Sequence, residues 1–121
     1  MLTVAMSSYF RIFFRSPLRS ASSIGFTSAE IGYFRYSTRR KVWEVALSDH
    51  SFVQLKKGTS AADILAYNPQ FVQTHQSYIV NMRYLTLIGV TQCTLYPPFN
   101  DDEVLVGRRF SRELKTRFTL I

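Results

Sequence analysis

The chain predicts a mainly β fold, many short strands with one or two small helices, and three observations carry that expectation. Short runs rich in β-branched and aromatic residues are divided at close intervals by Ser, Gly, Pro and Asn, the pattern of strands joined by turns. Aromatic residues make up 15% of the 121 residues, and they favour the pleated surface of a sheet. Helical signals appear in only two longer segments, a capped alanine-rich stretch near the middle and an apolar stripe close to the C-terminus. An apolar fraction of 46% is ample for a packed core, which sets disorder aside, and the length fits one domain.

Residues 1–8 read as a flexible segment ahead of a domain spanning 9–121. Residues 1–15 are apolar, carry Arg11 and Arg15 and contain no acid. They read either as an approach to a first strand over 9–15 or as an amphipathic anchor or transit peptide. We take the strand, because of its aromatic content, and keep the anchor as the alternative. A small-residue cleavage site after a long apolar core is missing, so no signal peptide is expected. Ser16-Pro17 breaks the first strand, since proline removes a ladder donor and restricts the residue before it. Residues 18–26 suggest a short second strand ending at Gly25, and Thr27-Ser28-Ala29-Glu30 fits a capping box for one helical turn.

A strand follows over 31–36, then a polar turn over 37–41. The next strand, over 42–47, is expected to point Glu44 outward, and 48–51 turns the chain into a hairpin partner over 52–55. Residues 59–67 form the best helix, with Ser60 or Thr59 as N-cap and Asp63 in the first turn. Asn68-Pro69 stops it, and Ile64, Leu65 and Tyr67 give it an apolar face that can plug an open sheet. Phe71-Val72 and Tyr78-Ile79-Val80 then flank a polar knot, Gln73-Thr74-His75-Gln76-Ser77. Five hydrogen-bonding side chains between two core-seeking runs suggest a surface that grips a partner. A turn over 81–85, strands over 86–90 and 91–96, a rigid loop at Pro97-Pro98 and a last strand over 103–106 complete the β part. Gly107 is expected to turn the chain sharply into a helix over 108–118, whose Phe110, Leu114 and Phe118 fall on one stripe.

Charge narrows the function. Net charge is +7 with a pI near 9.9, which favours a polyanionic partner, nucleic acid first and an anionic membrane surface second. Of fifteen Lys and Arg, three fall at Arg39-Arg40-Lys41 and five between Arg108 and Arg117. Two loops and a helix start are therefore cationic, able to position a protein on phosphates and to reach base edges. Each cluster taken singly also fits a solvated face. An RNA-binding module would need exposed aromatics for stacking, whereas Tyr33, Phe34 and Tyr36 are expected in the core. Enzyme chemistry finds little support, and no catalytic, metal or cofactor site is expected. The two histidines form no metal-ligand spacing, no glycine loop cradles phosphate, and Asp101-Asp102-Glu103 reads as a solvated acidic turn. The lone Cys93 excludes an internal disulfide, suits a reducing cytoplasm and reads as buried packing.

These residues resemble the LytTR family of bacterial DNA-binding domains. The stretch Phe71-Val72-Gln73-Thr74-His75-Gln76-Ser77-Tyr78-Ile79-Val80-Asn81 is similar to the family's F-x-x-x-H-x-S-[YF]-[IVL]-[IV]-N. Val106-Gly107-Arg108-Arg109-Phe110 with Leu114-Lys115 is similar to its V-S-R-x-[YF]-x-x-x-L-K. Ile31-Gly32-Tyr33-Phe34 fits its I-x-Y-[IF]-E strand. The resemblance implies an elongated fold of about ten short strands in mainly antiparallel sheets, binding promoter DNA through loops in successive major grooves. It implies base contact by Arg108 and by Arg40 or Lys41 of the 39–41 loop, and backbone contact by Gln76. Ser77, His75, Arg39, Arg109 and Arg112 surround these positions and are expected on the backbone too. Such domains usually follow a receiver domain, so a receiver or sensor partner outside this chain, promoter direct repeats and a dimer on DNA are expected. Two positions depart from the pattern: Gly107 stands for the usual serine, and Arg35 for the usual glutamate. His75 and Asn81 also have structural roles open to them, at a strand end and as a turn cap. A membrane-surface or protein-docking module using residues 1–15 is the alternative function.

Overall fold

The computed structural model describes the backbone of residues 9–13, 23–27 and 30–120 and the side chains of residues 30–118. β1 (Tyr9–Phe13) pairs antiparallel with β2 (Ser23–Thr27). Residues 1–8, the Ser16-Pro17 break and two members of the expected capping box, Ser28 and Ala29, lie outside the described residues. The remaining elements are β3 (Ile31–Ser37), β4 (Val42–Leu47), β5 (Phe52–Gln54), α1 (Ala61–Tyr67), β6 (Phe71–His75) and β7 (Tyr78–Asn81). They continue with a 3-10 turn (Met82–Tyr84), β8 (Leu85–Ile88), β9 (Gln92–Leu95), β10 (Val104–Leu105) and α2 (Arg108–Leu120).

A five-stranded antiparallel sheet in the order β5-β4-β3-β7-β6 forms the middle layer. Alternate residues of its strands enter two different cores. Phe71 and Ile79 face one core, capped by Ile64 of α1, while the adjacent Val72 and Val80 face the other. That second core is closed by the three-stranded sheet β10-β9-β8 and by Leu114 of α2. A sheet covered on both faces needs apolar residues at successive positions, which is why its strands do not alternate cleanly. The two-sided burial also overturns the outward placement of Glu44: β4 is buried along its whole length, Glu44 included.

Helix α1 starts where its capping chemistry says. Ser60 Oγ accepts from the Asp63 amide at 3.2 Å, and the Asp63 carboxylate accepts from the Ser60 amide at 2.9 Å. Ser60 rather than Thr59 is thus the N-cap, and Asn68 ends the helix. Ile64 is fully buried and Leu65 packs beside it, but Tyr67, at the last helical position, stands 42% exposed and is not part of the plug. The expected strands over 86–90 and 91–96 shorten because the Gly89 amide donates to Gln92 O at 2.8 Å and closes a tight turn between them. Tyr33 and Phe34 are buried, and half-buried Tyr36 meets Trp43 edge to face, so these rings are core as expected. Among the described residues no helix is long and apolar enough to cross a membrane.

Gly32 marks an irregularity of β3, where pairing with β4 shifts register between Ile31 and Tyr33. The buried Phe99 ring lies against it, so close that a Cβ at position 32 would sit 2.4 Å from Phe99 Cζ. Gly32→Ala is therefore expected to destabilise the fold by about 1–3 kcal/mol through overpacking. Phe99→Leu in the same chain should recover part of that loss, as read from urea unfolding midpoints. A second expectation concerns pH. Hydrogen bonds from the Ser60 amide and hydroxyl hold the Asp63 carboxyl below the usual carboxylate range. Its folded value lies below its unfolded one, so its contribution is complete above about pH 4 and fades as pH falls through the folded value. Asp63→Asn should flatten that acid limb, measured by amide exchange in the first turn of α1 at stepped pH.

Candidate nucleic-acid interface

Three cationic or polar segments meet at one end of the five-stranded sheet, and the strand order explains how. β3 runs antiparallel to both β4 and β7, so the β3–β4 turn and the β6–β7 turn emerge at the same edge. The Tyr36 amide donates to Ser77 O at 2.8 Å and ties the two turns side by side. The third segment, the start of α2, is fastened by a β-bulge. Gln73 pairs with Ile79 and His75 with Tyr78, leaving Thr74 as the extra residue of β6. A bulged residue falls out of the ladder and is available to other partners. The Thr74 carbonyl accepts from the Gly107 amide at 2.7 Å, and its hydroxyl donates to Leu105 O at 2.8 Å. Arg108 therefore enters α2 directly beside His75.

This geometry divides the polar knot. Thr74 is fully buried and spent on the fold, so it is not part of a gripping surface. Gln73 Nε2 donates to His75 O at 3.2 Å and braces the turn from inside. His75 Nδ1 accepts from the Ser77 amide at 3.0 Å, which leaves the ring proton on Nε2, and the ring meets Tyr78 edge to face. Gln76 alone of the five is exposed. Asn81 is buried, donating to Ile31 O at 2.8 Å and accepting from the Arg83 amide at 3.1 Å, the turn-capping role open to it. Gly107 does not turn the chain through a left-handed conformation, which among the described glycines is confined to Gly58. A Cβ at position 107 would lie 3.4 Å from both His75 Cδ2 and Phe110 Cδ2, van der Waals contact that leaves room for the usual serine.

Arg39, Arg40 and Lys41 are all exposed on the β3–β4 turn. Ser37 organises it: its hydroxyl accepts from the Arg40 amide at 3.1 Å and its carbonyl from the Lys41 amide at 2.6 Å. Lys41 is held at φ 60°, a left-handed conformation that costs a side-chain-bearing residue about 1–2 kcal/mol. Arg108 and Arg109 stand exposed at the start of α2, Arg109 with its guanidinium 5.3 Å from the Phe110 ring centre. Arg112 lies one turn along, around a concavity that also takes in Arg108, Ser111 and Lys115 of α2 and Val90 and Thr91 of the β8–β9 turn. The nine expected contact residues thus fall on two adjoining turns and the first turns of one helix. Two residues that organise the site carry no motif of their own, Thr74 and the buried Glu44. Only the Thr74 bulge and the cross-strand pairing of Glu44 reveal them. Cys93 is buried, and burial pushes its thiol up to about 11, the behaviour of packing rather than of a nucleophile.

A family model described as the LytTr DNA-binding domain matches residues 20–119. The chain belongs to that family. It is also similar in fold to a LytTr DNA-binding domain from a Bacillus cereus protein described as a methyl-accepting/DNA response regulator. That similarity has a TM-score of 0.62 at 15% identity and covers 90% of this chain and 94% of the other. No curated protein matches the sequence. LytTr domains are DNA-binding domains.

The bulge makes a prediction about this LytTr domain. Thr74→Val keeps the shape of the side chain but removes the donor to Leu105 O. It should destabilise the fold by about 1–3 kcal/mol, the cost of leaving a buried acceptor unsatisfied. Amide exchange at Gly107 should quicken beyond what the global loss explains, because the start of α2 is loosened locally.

Proposed function

We propose that this domain reads a specific sequence in double-stranded promoter DNA as the output part of a bacterial, cytoplasmic transcription regulator. The observation that carries this reading is the gathering of the 39–41 turn, Gln76 and Arg108 at one end of a rigid sheet. In the proposed complex Arg108 and the 39–41 turn enter successive major grooves, with Arg108, Arg40 and Lys41 reaching base edges. Gln76, Ser77, His75, Arg39, Arg109 and Arg112 contact the backbone. Arginine suits the first task because its fork matches O6 and N7 of guanine, and the imidazole Nε2–H of His75 suits the second as a phosphate donor. We further propose residues 9–121 as the binding unit, a receiver or sensor partner as its source of control, and a dimer on direct repeats as its bound form.

Enrichment from a random duplex pool tests the reading and returns the target. Log affinity should fall with log salt at a slope near −0.9 per phosphate contacted. Arg108→Ala should weaken target binding by about 1–3 kcal/mol and relax selection at one base pair, as measured by titration against single-position variants of the enriched site. A pool that returns no preferred sequence would overturn the proposal.

A further inference from the structure

Resting on that reading, a buried carboxylate behind the β3–β4 turn bears on how the turn selects its target. Glu44 sits in the middle of β4 and is only 6% exposed. A carboxylate so withdrawn from water is costly unless it is paired, and two guanidiniums pair it. Arg35, opposite it in the ladder, donates from Nε to Oε1 at 3.0 Å and lays its guanidinium 3.6 Å from the centre of the Phe52 ring. Arg35 is thereby fixed from two sides. Arg40 makes a looser contact, Nη1 to Oε2 at 3.6 Å, with 55% of its side chain exposed. These three residues and the turn around them line a shallow concavity.

We infer that Glu44 is a specificity-determining residue, holding Arg40 away from bare phosphate and releasing it to a base edge. A phosphate would give Arg40 one anion in exchange for another and leave buried Glu44 a cation short, so that exchange gains little. A guanine offers two acceptors in the geometry of the guanidinium fork, which the single contact to Glu44 does not match. Departure of Arg40 is not prohibitive, because Arg35 stays behind and keeps the buried carboxylate neutralised. Non-specific duplex therefore leaves Arg40 on Glu44, while the right base draws it out.

The test compares the wild-type domain with Glu44→Gln and Arg40→Gln on the enriched target and on a scrambled duplex of the same composition. Glu44→Gln should raise affinity for the scrambled duplex several-fold and steepen its salt slope by about 0.9, one phosphate more. Target affinity should change less, so selectivity falls. A carboxylate that serves the fold alone would instead lower both affinities together without steepening the slope, which overturns the inference. Arg40→Gln, an exposed turn substitution, keeps the test decisive if the first variant unfolds in urea too early to assay. It should cost the target roughly 5- to 150-fold, the 1–3 kcal/mol of a bidentate base contact, and the scrambled duplex less than about twofold. Equal losses on both duplexes, with the slope reduced by about 0.9, would make Arg40 an ordinary phosphate contact and overturn the inference while leaving the DNA-binding reading intact. A wild-type domain with no preferred sequence would overturn that reading instead, and the two salt slopes on scrambled duplex would still report whether Glu44 withholds Arg40.

Discussion

The arrangement where the two turns meet the start of α2 depends on a single extra residue in β6. Without the bulge at Thr74, its carbonyl would be committed to the ladder with β7 and the start of α2 would have nowhere to dock. With it, one residue donates to the last strand through its hydroxyl and accepts from Gly107 through its backbone. Thr74 itself is fully buried, where an unmade hydrogen bond is expensive and a made one is correspondingly specific. A helix carrying five cations is thus set in register with a hairpin turn by two short contacts.

The rest of the molecule makes that placement rigid. The middle sheet is sealed on one side by α1 and on the other by the three-stranded sheet and α2, so its strands cannot slide without moving apolar residues out of both cores. Phe99 contributes in an unusual way, seating its ring on the backbone of Gly32 where β3 shifts register. Polar side chains are treated with the same economy: among the described residues no buried side-chain nitrogen or oxygen lacks a hydrogen-bond partner. Side chains presented from such a scaffold are held in direction by the sheet while their tips stay free to adapt, a useful division for reading a duplex.

Electrostatics then sorts the cations by how tightly each is held. Arg35 is locked between Glu44 and Phe52, Arg40 is loosely paired, and Arg39 and Lys41 extend into solvent from a turn in which Lys41 is conformationally strained. Repulsion among neighbouring exposed cations is softened by water and salt and would be relieved outright by an anionic partner. The replacement of a usual acid by Arg35 is explained here by its partner across the ladder, since two facing carboxylates at positions 35 and 44 would repel each other inside the sheet.

By itself the sequence determined most of the local structure. Turn residues and capping chemistry located β3, β4, β5 and both helices, because the physical cause of each boundary is a neighbour in the chain, as Ser60 is to Asp63 and Ser37 to Lys41. The two-part motif resemblance identified the family and named Arg108, Gln76 and the 39–41 turn. What only the tertiary structure decided is which polar residues face inward. Glu44 and Thr74 look like surface residues in the chain, and both are buried because strands distant in sequence cover them. Their partners, Arg35 and Leu105, become neighbours only when strands pair and layers close. Local sequence can encode a turn or a cap through adjacent residues. A two-sided sheet and a bulge that anchors a helix arise from contacts the chain makes only after it has folded.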